Sequence, residues 1–204
     1  MRSVSYIDPA RYAQIKNQME VVILRVIPIS GKARHGKDTC AEMLNEYLTD
    51  HGYRVLITHY GDLVKYVCKK FFDWDGRKDD KGRALLQYVG TDVVRSKVTD
   101  YWCNFIVDML NFFGSEWDFV LIPDTRFPNE IECLRNNGFF TTHLRVVRPD
   151  FDNGLTKKQN AHISETALDD VEPDYTIIND GSLEDLQAKI TKFVEENIIY
   201  GRDY

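Results

Sequence analysis

Val21-Val22-Ile23-Leu24-Arg25-Val26-Ile27-Pro28-Ile29-Ser30-Gly31-Lys32-Ala33-Arg34-His35-Gly36-Lys37-Asp38-Thr39 is the stretch from which the rest of the chain is read. Its first part, 21–29, is an apolar run rich in β-branched residues, the pattern of a strand buried on both faces. Pro28 has no N–H to give a ladder, so it is expected at the very end of that strand. The second part matches G-x-x-x-x-G-K from Gly31 to Lys37, with Asp38 where Ser or Thr is usual. Beyond it, Cys40, Met43, Leu44, Tyr47 and Leu48 recur at helical spacing until Gly52 ends the pattern.

Strand, glycine-bearing loop and amphipathic helix form the context in which this spacing binds phosphate. The glycines let the backbone wrap closely, so that successive N–H groups and a helix N-terminus face a polyphosphate. Lys37 then reaches the β- and γ-phosphates as a mobile charge. The loop residues Gly31, Lys32, Ala33, Arg34, His35, Gly36, Lys37, Asp38 and Thr39 are therefore the candidate ATP-binding set. Without a ligand the same residues would be a simple strand-to-helix turn; motif and context together favour phosphate. Asp38 either holds Mg²⁺, directly or through water, or merely complements the helix dipole, and Thr39 can take over the hydroxyl role.

Working outward, 53–58, 119–122, 142–147 and 175–178 read as four further strands. Helical patterns run over 63–72, about 92–113, 128–136 and from Ser182 onward, with 73–81 as a polar loop. Ser182 and Asp185 have capping spacing, and Leu183, Leu186, Ile190, Phe193 and Val194 are expected on the inner face of the last helix. Strands alternating with helices predict an α/β fold of three layers, a central parallel five-stranded sheet covered on both sides. The segment 1–20 is polar and mildly helical and reads as an accessory extension to a single domain over 21–204.

The 204 residues suffice for one domain, and 43% hydrophobic with 28% charged residues is ordinary globular composition. A net charge of -6 argues against a nucleic-acid polymer as partner. Cys40, Cys68, Cys103 and Cys133 show no metal-ligand spacing and read as thiols in a reducing compartment. No secretory pattern and no apolar run of membrane-spanning length is present, so a soluble cytoplasmic protein is expected. The sequence leaves the oligomeric state open, a homodimer included.

Several segments, in this order, resemble the deoxynucleoside monophosphate kinase family of phages and bacteria. They are Gly36-Lys37-Asp38-Thr39, Leu86-Gln87-Tyr88-Val89-Gly90-Thr91-Asp92 with Arg95, Asp124-Thr125-Arg126-Phe127-Pro128-Asn129-Glu130, His162-Ile163-Ser164-Glu165, and Asn179-Asp180-Gly181-Ser182. The resemblance implies a P-loop nucleoside-monophosphate-kinase fold with a helical acceptor-binding region and a lid. It also implies transfer of the ATP γ-phosphate, with Mg²⁺, to a deoxynucleoside monophosphate. Phosphomevalonate kinases of the animal type share the Gly-Lys-Asp loop and a Ser-Glu element, and a non-catalytic nucleotide-binding module is a further alternative.

Within that frame Lys37, Arg126 and Asp124 are the candidate catalytic residues. Asp124, at the carboxyl end of a buried strand, suits Mg²⁺ or its waters, the alternative being a cap for the helix at Pro128. Arg126 offers a fork to phosphate oxygens, the alternative being a pair with Glu130. The metal set is thus Asp38, Thr39 and Asp124. Asp62, Lys65, Arg83, Gln87 and Arg95 form the candidate substrate-binding set: the arginines for the acceptor phosphate, Gln87 for a base edge, and Asp62 for sugar or base unless it caps a helix. Tyr88, Trp102 and Phe72 are stacking candidates that could equally be core. Arg145, Arg148, Lys157 and Lys158 bracket a basic lid loop over 149–161. Arg148 and Asn179 complete the ATP-binding set.

Overall fold

The structure, a computed structural model, describes residues 24–199. The extension over 1–20 and the first three residues of the expected first strand lie outside the described residues. Strand β1, Arg25–Ser30, leads into helix α1, Lys37–Asp50. β2, Val55–Ile57, is followed by α2, Gly61–Phe71, and α3, Asp80–Gln87. A π-helical segment, Tyr88–Arg95, then connects α3 toward α4, Tyr101–Phe113. β3, Phe119–Ile122, and α5, Pro128–Asn136, precede the short strand β4, Phe140–Thr141, and β5, Leu144–Val147. Two single-turn helices, α6, Lys157–Asn160, and α7, Ile163–Thr166, lead to β6, Tyr175–Ile178, and α8, Leu183–Val194.

The strands form one sheet in the order β2-β3-β1-β5-β6, all pairings parallel, with β4 also against β1. Residues alternate across it with the period of two that a pleated strand imposes. Ile27, Ile29 and Leu121 pack with Leu44 and Leu48 of α1 and with Leu186, Ile190 and Phe193 of α8 on one face. Val26, Val120 and Ile122 pack with Val64 of α2, Trp102, Ile106 and Leu110 of α4 and Leu134 of α5 on the other. This is the three-layer arrangement that near-continuous apolar strands predict.

The expected five strands are six because a short strand, β4, precedes the one expected over 142–147, which itself begins only at Leu144. β4 pairs with Arg25 and Val26, while β5 pairs with Ile29 and Ser30. The break falls opposite Ile27 and Pro28, where proline offers no N–H to the ladder. Pro28 itself is not at the strand's end: it stays in register with Ile122, inside β1. The long helix expected over about 92–113 starts earlier, at Asp80, where the Asp79 carboxylate caps the Gly82 N–H, and it is interrupted at 98–100. Ser182 and Asp185 do cap α8 reciprocally, but Leu183 is 62% exposed and does not face the core. The four cysteines are free, three of them buried.

Candidate active site

The phosphate loop owes its shape to two glycines. Gly31 has φ 143°, and a Cβ there would lie 2.2 Å from the Val146 carbonyl oxygen. Gly36, at φ 98°, forms the left-handed entry to α1, with the Asn179 side chain 2.7 Å from where a Cβ would be. Only glycine combines these angles with such close approach. Asn179 Nδ2 donates to the His35 carbonyl at 2.9 Å, and the Arg148 N–H donates to His35 Nδ1 at 3.1 Å. Both outlying members of the expected ATP-binding set therefore lie on the loop. The Arg148 guanidinium stacks over Phe151, 4.1 Å from the ring centroid.

Lys37 is 7% exposed and folds back over the loop, donating at 2.9 Å to the carbonyls of Gly31 and Lys32. Burial first, and the Arg126 charge second, lower its ammonium to about 7. Those are the surroundings that a polyanion would relieve. Asp38 is 78% exposed and lies 3.6 Å from His59 Nε2, a partner the sequence did not suggest. Their contact lowers the Asp38 carboxyl and raises the His59 imidazole. Thr39, half-buried, stands beside it in the first turn of α1.

Each residue of Asp124-Thr125-Arg126-Phe127-Pro128-Asn129-Glu130 has a physical reason in the fold. Asp124 does not cap the helix that starts at Pro128. Its two carboxylate oxygens accept the Tyr60 and Gly61 N–H groups, at 3.0 and 2.8 Å, and so cap α2 across the sheet edge. Thr125 donates back to the Ile122 carbonyl, and Pro128 opens α5. Glu130 is buried, and its Oε2 accepts the Arg126 and Phe127 N–H groups, at 2.7 and 3.1 Å. Its Oε1 accepts Arg95 Nη2 at 2.5 Å, and Arg95 Nη1 reaches Asn129 at 3.0 Å. Arg95 also stacks over Phe127, 3.9 Å from the ring centroid. Burial pushes the Glu130 carboxyl up to about 7, against the opposing pull of Arg95 and the two amides.

The Arg126 side chain does not pair with Glu130. Its Nη1 donates at 2.7 Å to Glu165 Oε1, while Glu165 Oε2 accepts the Ala33 N–H of the phosphate loop at 3.1 Å. A cavity of about 250 Å³ opens beside this pair. Lys65, Arg83, Gln87, Arg95, Asp124 and Arg126 all line it, so the structure brings together candidates spread over four segments of the chain. The side chains of Arg83 and Gln87 have no hydrogen-bond or ion-pair partner among the described residues, whereas both terminal nitrogens of Arg95 are engaged. Trp102 closes the floor with its indole N–H on the Gly90 carbonyl.

Other candidates fall outside this wall. Asp62 neither lines the cavity nor caps α2; it pairs with Lys65 at 2.7 Å and approaches His59. Tyr88 and Phe72 are exposed and do not line it. Arg145 turns inward to the carbonyls of Leu168 and Val171, so it does not belong to the loop over 149–161. That loop reaches the 250 Å³ cavity instead, through Leu155 and Gln159. The sequence reading passed over Glu165, Lys78, Thr91 and Gln159; the segment His162-Ile163-Ser164-Glu165 was the one trace of the first.

A family model, deoxynucleotide monophosphate kinase, matches residues 65–190, more than half of the chain. The deoxynucleotide monophosphate kinases of Enterobacteria phage T4 and Escherichia phage RB69 are each 38% identical, over 110 and 114 residues, or 53% and 55% of this chain. The matched stretch spans 43% and 44% of those relatives' own lengths. Among solved structures, an APS kinase of Mycobacterium tuberculosis in complex with AMPPNP and APS aligns over 84% of this chain and 97% of its own, at 11% identity and a TM-score of 0.49. A hexameric APS kinase from Thiobacillus denitrificans aligns over 96% of this chain and 34% of its own, at 13% identity and a TM-score of 0.48. The family match covers Lys65, Arg83, Gln87, Arg95, Asp124, Arg126 and Glu165, and on that match the chain belongs to the deoxynucleotide monophosphate kinase family.

Proposed function

We propose that this chain transfers the γ-phosphate of ATP to the phosphate of a deoxynucleoside monophosphate. The observation that carries the reading is the meeting of two anion-binding features at Arg126. On one side lie the phosphate loop and Lys37; on the other lies a cavity lined by Lys65, Arg83 and Gln87. Phosphoryl transfer asks a protein mainly to hold two anionic substrates in line and to neutralise charge on the group in transit. Lys37 and the loop amides would hold the donor phosphates, and Arg83 the acceptor phosphate. Arg126, between them, would stabilise the transferring group. Gln87, with one donor and one acceptor edge, suits recognition of a base.

Mg²⁺ fits the same arrangement. Mg²⁺ keeps several of its waters and takes one or two carboxylates plus phosphate. Asp38, Thr39 and Asp124 are the hard oxygen donors at hand. The bound ion would neutralise charge on the β- and γ-phosphates. Arg95 has the different task of holding Glu130, and with it the Arg126 backbone, in place. No helix among the described residues is long and apolar enough to cross a membrane.

The test is ADP formation by the purified chain with ATP and Mg²⁺ across a panel of deoxynucleoside monophosphates, with phosphomevalonate included. Turnover that requires a deoxynucleoside monophosphate is expected. Turnover of phosphomevalonate alone, or none with any acceptor, would overturn the reading.

A further inference from the structure

Glu165 is placed where an anion, not a side chain, is the expected occupant. Its carboxylate accepts the Ala33 N–H from the middle of the phosphate loop, at 3.1 Å, and Arg126 Nη1, at 2.7 Å. One backbone amide and one guanidinium are the donor pair that a phosphate oxygen takes. The carboxylate is well shielded, at 8% exposed. It also lies at a junction: Arg126, Ser164 and Glu165 line both the acceptor cavity and a second cavity, of about 300 Å³, that runs from Gly31 and Lys32 toward Leu168.

The backbone beneath Glu165 is fixed independently of its carboxylate. Lys32 Nζ donates to the Glu165 carbonyl oxygen at 2.5 Å and pairs with Asp169. His162 Nδ1 accepts the Ser164 N–H at 3.2 Å, capping the turn that carries Glu165. The side chain can therefore leave by rotation while its Cα stays anchored.

We infer that the Glu165 carboxylate is an internal stand-in for a substrate phosphate, holding the Ala33 N–H and Arg126 in the unliganded protein and yielding both to an incoming polyphosphate. This rests on the reading of the loop as the ATP phosphate site and deepens it. A carboxylate and a phosphate oxygen cannot share the same donors, and their like charges repel in a shielded site. Polyphosphate affinity is then lowered by the free energy of moving Glu165 aside. In return, Arg126 stays aimed at the junction before substrate arrives, so that little reorganisation is left for the moment of transfer.

The test measures binding of inorganic tripolyphosphate and of ATP by titration calorimetry, with the full chain as wild type, Glu165→Gln and Glu165→Asp. Glu165→Gln removes the competing charge and is expected to bind tripolyphosphate about tenfold more tightly than wild type. Glu165→Asp, whose shorter arm holds the Ala33 N–H less well, should also bind more tightly, and it serves as the test if the Gln variant does not fold. The tighter binding should extend to ATP. Equal or weaker binding by the folded variants, with ATP still bound by wild type, would make Glu165 a permanent support of Arg126 and overturn the inference alone. No binding of either probe by any of the three proteins would overturn the reading of the loop as well.

Discussion

The two sides of Arg126 are built on different principles. The phosphate loop is a local object: nine consecutive residues, shaped by two glycines and held by Asn179 and the Arg148 amide. The cavity wall is assembled from α2, α3, the π-helical segment and the loop after β3, and a buried ion pair, Arg95–Glu130, holds it together. The difference teaches that a cation in a cavity wall is not by that fact a ligand for a bound molecule. Arg83 and Arg95 belong to one stretch of sequence and line one cavity, yet Arg95 is committed to Glu130 while the Arg83 side chain has no partner among the described residues.

Substituting Arg95 is the harshest way to break this contrast. Arg95→Ala leaves Glu130 buried without its counter-ion and should cost about 3–5 kcal/mol of stability. Urea unfolding checks this, and a loss under about 1 kcal/mol would place Arg95 with the ligand-binding cations instead.

On the other side of Arg126, Lys37→Ala should lower kcat/KM at least about a hundredfold, ~2.7 kcal/mol of transition-state stabilisation, because no other cation among the described residues reaches the loop carbonyls as it does. The circular dichroism spectrum should stay that of wild type. A loss smaller than about tenfold would remove Lys37 from the transfer step.

The ground beneath the loop gives a contrast in pH. Ser30, the last residue of β1, shares a 2.7 Å hydrogen bond with His143, whose imidazole burial and then the Arg145 charge lower to about 4. The unfolded chain, titrating near 6.5, binds the proton that the folded imidazole refuses between those values. Stability therefore rises as pH goes from about 4 to 6.5 and is lost on acidification, by about 2–3 kcal/mol over the window. His143→Gln should flatten that slope in melting curves taken across it; an unchanged slope would assign the acid sensitivity to other groups.

Arg83→Ala is the mildest change and the one that sharpens the comparison most. It should raise KM for the acceptor about tenfold with ATP binding unchanged. Stability should stay within about 0.5 kcal/mol of wild type, since no folded-state partner is lost. A stability loss as large as that of Arg95→Ala would erase the distinction between the two arginines.

Legibility followed the same divide. The loop, the strand and helix order, Pro128 opening α5 and the Ser182–Asp185 cap are written in contiguous residues, and local physics decides them. The acceptor candidates were found through resemblance, and the structure gathers most of them into one cavity. What stayed hidden depends on partners far along the chain. Glu165 reaches Ala33 and Arg126 across 132 and 39 residues, and Asp124 caps a helix 63 residues before it. Nor could the split between β4 and β5 be read, because it depends on which strand lies opposite Pro28. Leu183 matched the helical stripe, but its place at the first turn leaves it beyond the sheet's cover.

The central claim is that the loop and the cavity are two halves of one active site meeting at Arg126. Following the γ-phosphate itself tests it most directly. ATP labelled at the γ-phosphorus is incubated with the chain, Mg²⁺ and a deoxynucleoside monophosphate, and the products are separated. The account predicts label in the deoxynucleoside diphosphate, in step with ADP formation, and its loss in Arg126→Ala. Label released only as inorganic phosphate, or transfer undiminished in Arg126→Ala, would contradict it.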